Sequence, residues 1–181
     1  MPWRFVFDIV GFQSVWWASA LGAGIGKWEF GVGVAAVVLT LQLAMSRERQ
    51  GLMAAIVVAG LMAIAAETGL SALGLVRYSA AWPMASVAPI WIVTLWMVFA
   101  TCIPATDRML GENALLKSFF LGAVIAPPTY WAGEGFGALR FAEPRWVALA
   151  AIGVVWAMAM PVMIRAYRHY APQTTLQPAA S

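Results

Sequence analysis

One cysteine and one histidine are all that this chain of 181 residues offers for thiol or imidazole chemistry. Cys102 has no second thiol, which excludes an internal disulfide and CxxC redox chemistry. His169 lies beyond the last apolar run, so no run holds the base that an intramembrane serine protease sets beside its serine. Phosphatases and acyltransferases built on an intramembrane histidine are excluded on the same ground. A zinc site of His and Cys has no ligand set, and no metal or cofactor site is expected. No glycine loop ends in Gly-Lys-Ser/Thr, so there is no phosphate cradle. The paired aspartates of alcohol-phosphate transfer are missing too. Lys27 and Lys117 stand at the ends of runs, which leaves a lysine Schiff-base pigment unsupported. Charge is also scarce. Only 10% of residues are charged, against about 25% in an average soluble domain. The net charge of +3 is spread over short loops, which excludes a nucleic-acid footprint.

What the chain has instead is apolar length, with 62% hydrophobic residues. Runs of about 20 apolar residues read as membrane spans. Six are found, approximately Phe5–Gly26, Trp28–Met45, Gly51–Val76, Val87–Pro104, Leu115–Leu139 and Trp146–Ala166. The brief joins between them favour antiparallel neighbours. The expectation is an all-α polytopic membrane protein, a compact bundle of about six transmembrane helices forming one domain over residues 1–170. The Pro-, Gln- and Thr-containing end predicts a disordered tail over 171–181. Arg4, an apolar stretch and Ala18-Ser19-Ala20 imitate a signal peptide, but Asp8 and Gln13 interrupt it, so a retained first helix is expected.

Loop charge orients the bundle. With the N-terminus in the cytoplasm, Arg4, Arg47, Arg49, Arg108, Lys117, Arg165 and Arg168 lie inside, while Lys27, Arg77, Arg140 and Arg145 lie outside. Seven against four predicts both termini inside. Trp3, Trp28, Trp82, Trp131 and Trp146 fall near the expected interfaces, where amphipathic rings are favoured.

Glu67 is the residue that points to a site. Nothing else ionises between Gly51 and Val76, and a carboxylate at bilayer depth costs a few kcal/mol or more, about 2.5–3.5 on insertion scales for aspartate. Gly60, Ala63, Glu67, Ser71 and Gly74 fall on one face, as do Gly11, Ser14, Ala18 and Gly22, and Gly122, Ala126, Gly133 and Gly137. Small residues let helices approach closely in lipid, so Glu67 is expected to face the bundle. Asp8, Gln13, Gln42, Thr94 and Thr101 also fall within spans. Asp8 is expected to reach headgroups or favour the helix N-terminus, and the two threonines to bond to their own backbone. Pro127-Pro128 predicts a kinked or broken fifth helix. A second acid, Glu134, follows. Glu67 before Arg77-Tyr78 and Glu134 before Arg140-Phe141 give two similar segments, each with an acid below an Arg–aromatic pair.

The segments Gly11–Trp17, Ala88–Trp96 with Phe99-Ala100-Thr101, and Tyr130–Leu139 resemble a family of small bacterial inner-membrane proteins of unknown function, the domain of unknown function 2878 type. The resemblance runs to about Ala166. It implies an acid, commonly aspartate, at the position of Glu67, and an acid at Glu134. The chain departs from the pattern at Cys102-Ile103-Pro104, where relatives tend to carry Leu-Asn. Genes of the family tend to sit near genes for membrane-lipid modification, which implies lipid-related work. The leading expectation is thus a multi-pass inner-membrane protein that handles a lipid or other apolar molecule, or assists lipid-modifying enzymes. Trp91, Trp96, Tyr130 and Trp131 would line its pocket, with Glu67 as the polar contact. A proton- or cation-coupled transporter using Glu67 and Glu134 is the alternative, and a carboxylate-dependent enzyme the second. The partners expected are membrane lipid and, with it, a membrane-protein partner or further copies of the chain.

Overall fold

A computed structural model describes residues 2–171, with side chains from Val6 onward. The Trp3 and Arg4 side chains, and the expected tail over 172–181, lie outside the described residues. Ala171 is described, and it is buried. The helices are α1 (Pro2–Gly24), α2 (Trp28–Met45), α3 (Arg49–Ala72), α4 (Ile90–Phe99), α5 (Ile103–Leu110), α6 (Ala114–Gly135) and α7 (Arg145–Tyr170). A 3-10 turn, Ala100–Cys102, joins α4 to α5 without interruption, so six helical rods result. Pro104 is accommodated because the 3-10 turn gives the Ala100 carbonyl to the Ile103 N–H, so the N–H that proline lacks leaves that acceptor satisfied. This carries the fourth rod to Leu110, beyond the expected end at Pro104. Among the described residues, four rods are long and apolar enough to cross a membrane: Trp28–Met45, Arg49–Ala72, Ile90–Leu110 and Arg145–Tyr170.

Two strands were not expected. β1 (Val76–Tyr78) and β2 (Leu139–Phe141) pair antiparallel, Val76 with Phe141, Arg77 with Arg140 and Tyr78 with Leu139. They arise because α3 and α6 stop earlier than their apolar runs, and both stop in the same way. Gly74 and Gly137 adopt φ of +70° and +74°, a left-handed conformation that glycine enters without steric penalty. The N–H after each glycine reaches back to the last turn, Leu75 to the Leu70 carbonyl (3.0 Å) and Ala138 to that of Gly133 (3.1 Å). Each residue of the second segment stands 63 positions after its counterpart. The strand pairing maps onto itself when the segments are exchanged, so a local twofold runs through Arg77 and Arg140. In this register Glu67 is the counterpart of Tyr130, and Glu134 that of Ser71. The matching of the two acids to each other is therefore corrected, because the glycines fix the register.

Glycine sets the closest helix contacts. A Cβ at Gly51 would fall 2.8 Å from the Tyr167 carbonyl, bringing α3 onto α7. One at Gly122 would fall 2.3 Å from the Trp156 carbonyl, bringing α6 onto α7. A kink or a break was expected at Pro127-Pro128; α6 is not broken there, since it runs as one helix through both prolines. The prolines deprive the carbonyls of Ala123 and Val124 of their helical donors. A Cβ at position 153 would fall 3.2 Å from the Ala123 oxygen, so glycine there lets α7 cover this freed group.

Candidate functional site

Glu67, on α3, is fully buried. Its carboxyl is the acceptor of three side-chain donors drawn from three other elements. Tyr78 of β1 donates its hydroxyl to Oε2, and Tyr130 of α6 donates its hydroxyl to Oε1. Trp96 of α4 donates its indole N–H to Oε1 at 2.8 Å. The same N–H lies 3.1 Å from the Tyr130 oxygen, and the Trp156 N–H of α7 reaches that oxygen at 3.3 Å. Among the described residues, no ion pair includes Glu67. A buried polar group left unpaired costs about 1–3 kcal/mol, so the three hydrogen bonds offset part of the burial cost. Tyr130 has one proton to give and two lone pairs to share, and all three are in use.

The twofold of the hairpin explains how these groups meet. Glu67 and Tyr130 are counterparts on α3 and α6. Trp96 and Trp156 occupy the helices that follow β1 and β2, and their rings pack 4.1 Å apart at 35°. Tyr78 has Phe141 as its counterpart, so only one strand sends a hydroxyl to the acid.

Beside this network lies a cavity of about 320 Å³, bounded by α1, α4, α5 and α6, with Trp156 and Met160 of α7 behind. Its wall is almost entirely apolar. Phe12 meets Phe99 edge-on at 5.5 Å, Phe99 meets Trp156 at 4.9 Å, and Trp156 continues into Trp96. Ile9, Met109 and Ile125 line the cavity and are exposed as well, so they form a rim through which it opens sideways onto apolar helix surface.

Of the residues singled out in the sequence, Glu67, Trp96 and Tyr130 come together, and Trp91 stands next to them. Trp91 lies edge-on to Tyr78 at 6.0 Å and gives its N–H to the Ser79 carbonyl at 3.1 Å. Trp91, Trp96 and Tyr130 line the cavity. Glu67 does not, because Tyr130 and Trp96 stand in front of it. Trp131 is not on the cavity either: one helical step past Tyr130 turns it away, and it is 55% exposed. Glu134 is also elsewhere, accepting the Phe141 N–H at 3.0 Å and lying 3.3 Å from the Arg145 guanidinium. Asp8 does not reach outward. It is buried, and Gln42 of α2 donates to it at 2.9 Å. Thr94 and Thr101 bond to the carbonyls of Trp91 and Val98.

Sequence reasoning missed Tyr78, Trp156, Phe12 and Phe99. The register set by Gly74 and Gly137 could have found Tyr130 as the partner of Glu67. At the far end of the bundle, Arg168 holds Asp107 with both oxygens near 3 Å, and Tyr167 donates to Glu48 beside Arg108. These contacts tie α5 and the start of α3 to α7.

No curated protein and no solved structure matches the chain. A family profile does match, over residues 5–162, and it covers the hairpin, the cavity and the helices as far as residue 162 of α7. The chain belongs to the family described as protein of unknown function DUF2878.

Proposed function

We propose that residues 1–170 form one transmembrane domain that crosses a bacterial inner membrane six times with both ends cytoplasmic, and that it binds a lipid or other apolar molecule in the cavity between α1, α4 and α6. The sideways opening of an apolar cavity carries this reading. A cavity of a few hundred Å³ suits a small ligand, at the lower end of a range of about 300–1,000 Å³. An apolar space that opens at bilayer depth meets hydrocarbon chains at high concentration. Transport coupled to Glu67 and Glu134 finds less support, since Glu67 stands behind Tyr130 and Glu134 is engaged near the hairpin. An enzyme resting on two carboxylates would need both at one cavity, and of the described acids only Asp8, which accepts from Gln42, lines this one.

Native mass spectrometry of protein extracted in mild detergent tests the reading. A lipid-sized adduct is expected on the wild type and is lost from Ala126→Trp, which places an indole in the cavity. An equal adduct on both would count against the cavity as the binding place. Orientation is tested in a Cys102→Ala background. An impermeant thiol reagent should label Glu143→Cys in intact cells and leave Arg47→Cys unlabelled; the reverse pattern inverts the topology.

A further inference from the structure

Resting on the proposed binding reading, we infer that the cavity selects a hydrocarbon rich in C=C bonds, of the polyprenyl kind, over a saturated chain of the same size. Three features lead there. The first is donor accounting. Where the cavity wall meets the Glu67 network, its donors are the Tyr130 hydroxyl and the indoles of Trp91, Trp96 and Trp156. The Tyr130 proton goes to Glu67, and the three N–H groups go to Ser79, to Glu67 and to Tyr130. A ligand polar atom beside this network would find none of these four donors free, and burying it unpaired is unfavourable. The part of the ligand that meets the network is therefore hydrocarbon.

The second feature is the wall. Phe12, Phe99, Trp156 and Trp96 form a continuous run of rings, and Trp16 and Trp91 add two more. Aromatic rings prefer offset or edge-on contact with other π systems, beyond the area they bury. A C=C bond offers such a partner at each unsaturated unit, and a saturated chain does not. The third is conformational freedom. Ordering a flexible chain in a fixed cavity loses rotamer entropy, and each double bond removes a rotor from that loss. Glu67 then acts as a positioning residue, fixing Tyr130 and Trp96 so that their rings, and not their polar atoms, face the ligand.

The test uses the full chain in nanodiscs of dimyristoyl phosphatidylcholine. The probe is trans-parinaric acid, a conjugated tetraene that accepts energy transfer from tryptophan. Geranylgeraniol and phytanol, one carbon skeleton with and without C=C bonds, then compete for the saturable part of that signal. Geranylgeraniol should displace the probe at about tenfold lower membrane content, as expected for an advantage of about 1.4 kcal/mol. Phe12→Leu combined with Trp16→Leu should shrink this ratio toward one while probe binding survives, and neither residue belongs to the Glu67 network. Equal displacement by the two alcohols overturns the preference and leaves apolar binding standing. A saturable signal that persists undiminished in Ala126→Trp, or no saturable signal at all, overturns the cavity reading itself. Unchanged melting temperature and gel-filtration profile identify variants whose result counts. If the double variant fails this check, Phe12→Leu alone replaces it and should move the ratio toward one by a smaller step.

Discussion

The seam between α3 and α7 and the space between α6 and α4 are counterparts under the twofold of the hairpin, yet the first is closed and the second is open. At the closed seam Gly51 lies against the Tyr167 backbone and Ala55, Ala59 and Ala63 are fully buried along α3. At the open one the facing residues include Leu95, Trp96, Leu121 and Tyr130. Small residues let backbones approach, while large rings that pack on one another hold them apart. The comparison teaches that the cavity follows from an asymmetry of side-chain size laid over a nearly symmetric backbone motif.

The sharpest way to break the comparison is Glu67→Leu, which leaves the hydroxyls of Tyr78 and Tyr130 without their acceptor, while the Trp96 N–H keeps the Tyr130 oxygen. At about 1–3 kcal/mol for each buried unpaired donor, the loss should reach about 2–6 kcal/mol. Thermal unfolding in detergent would show it, and a melting curve like the wild type's would mean the donors find other partners. Glu67→Gln keeps an acceptor oxygen and should lose only about 1 kcal/mol.

Next in size is a pair of glycines on counterpart helices. Gly122→Ala drives a methyl group toward the Trp156 carbonyl, a backbone atom that cannot step aside, and should destabilise by about 1–3 kcal/mol. Gly60→Ala meets only the Met97 side chain, at 3.4 Å or more. The helix-propensity gain of about 1 kcal/mol should then prevail, giving a more stable protein. Opposite signs in the same unfolding assay would confirm that α6–α7 contact is set by backbone and α3–α4 contact by side chain.

The smallest effect separates the two strands. Tyr78→Phe removes one donor from Glu67 and should lower stability by about 1 kcal/mol. Phe141→Tyr, its counterpart, adds a hydroxyl with no acid to receive it and should bring no gain. Equal losses would mean that Glu67 does not distinguish the strands.

The helices were legible because runs of about 20 apolar residues between charged joins leave little choice of structure. The hairpin was not, since two three-residue strands carry too little alternation to read. The burial of Glu67 was legible from its small neighbours, but its partners were not. Tyr78 lies eleven positions on, across a glycine turn, in what reads as a loop. Tyr130 and Trp131 are adjacent aromatics, and sequence alone does not tell which one the helix turns inward. That the helix would run on through the proline pair was not legible, because the glycine that covers the freed carbonyl, Gly153, belongs to a different helix.

The position of Glu67 also bears on the order in which the chain is built. Its donors Tyr78 and Trp96 come from its own repeat, but Tyr130 is made 63 residues later and Trp156 later still. A ribosome that has delivered α3 and α4 has thus made an acid with one of its three donors still unsynthesised. Completion of α6 supplies that donor, so the carboxyl is fully partnered only when both repeats have been made.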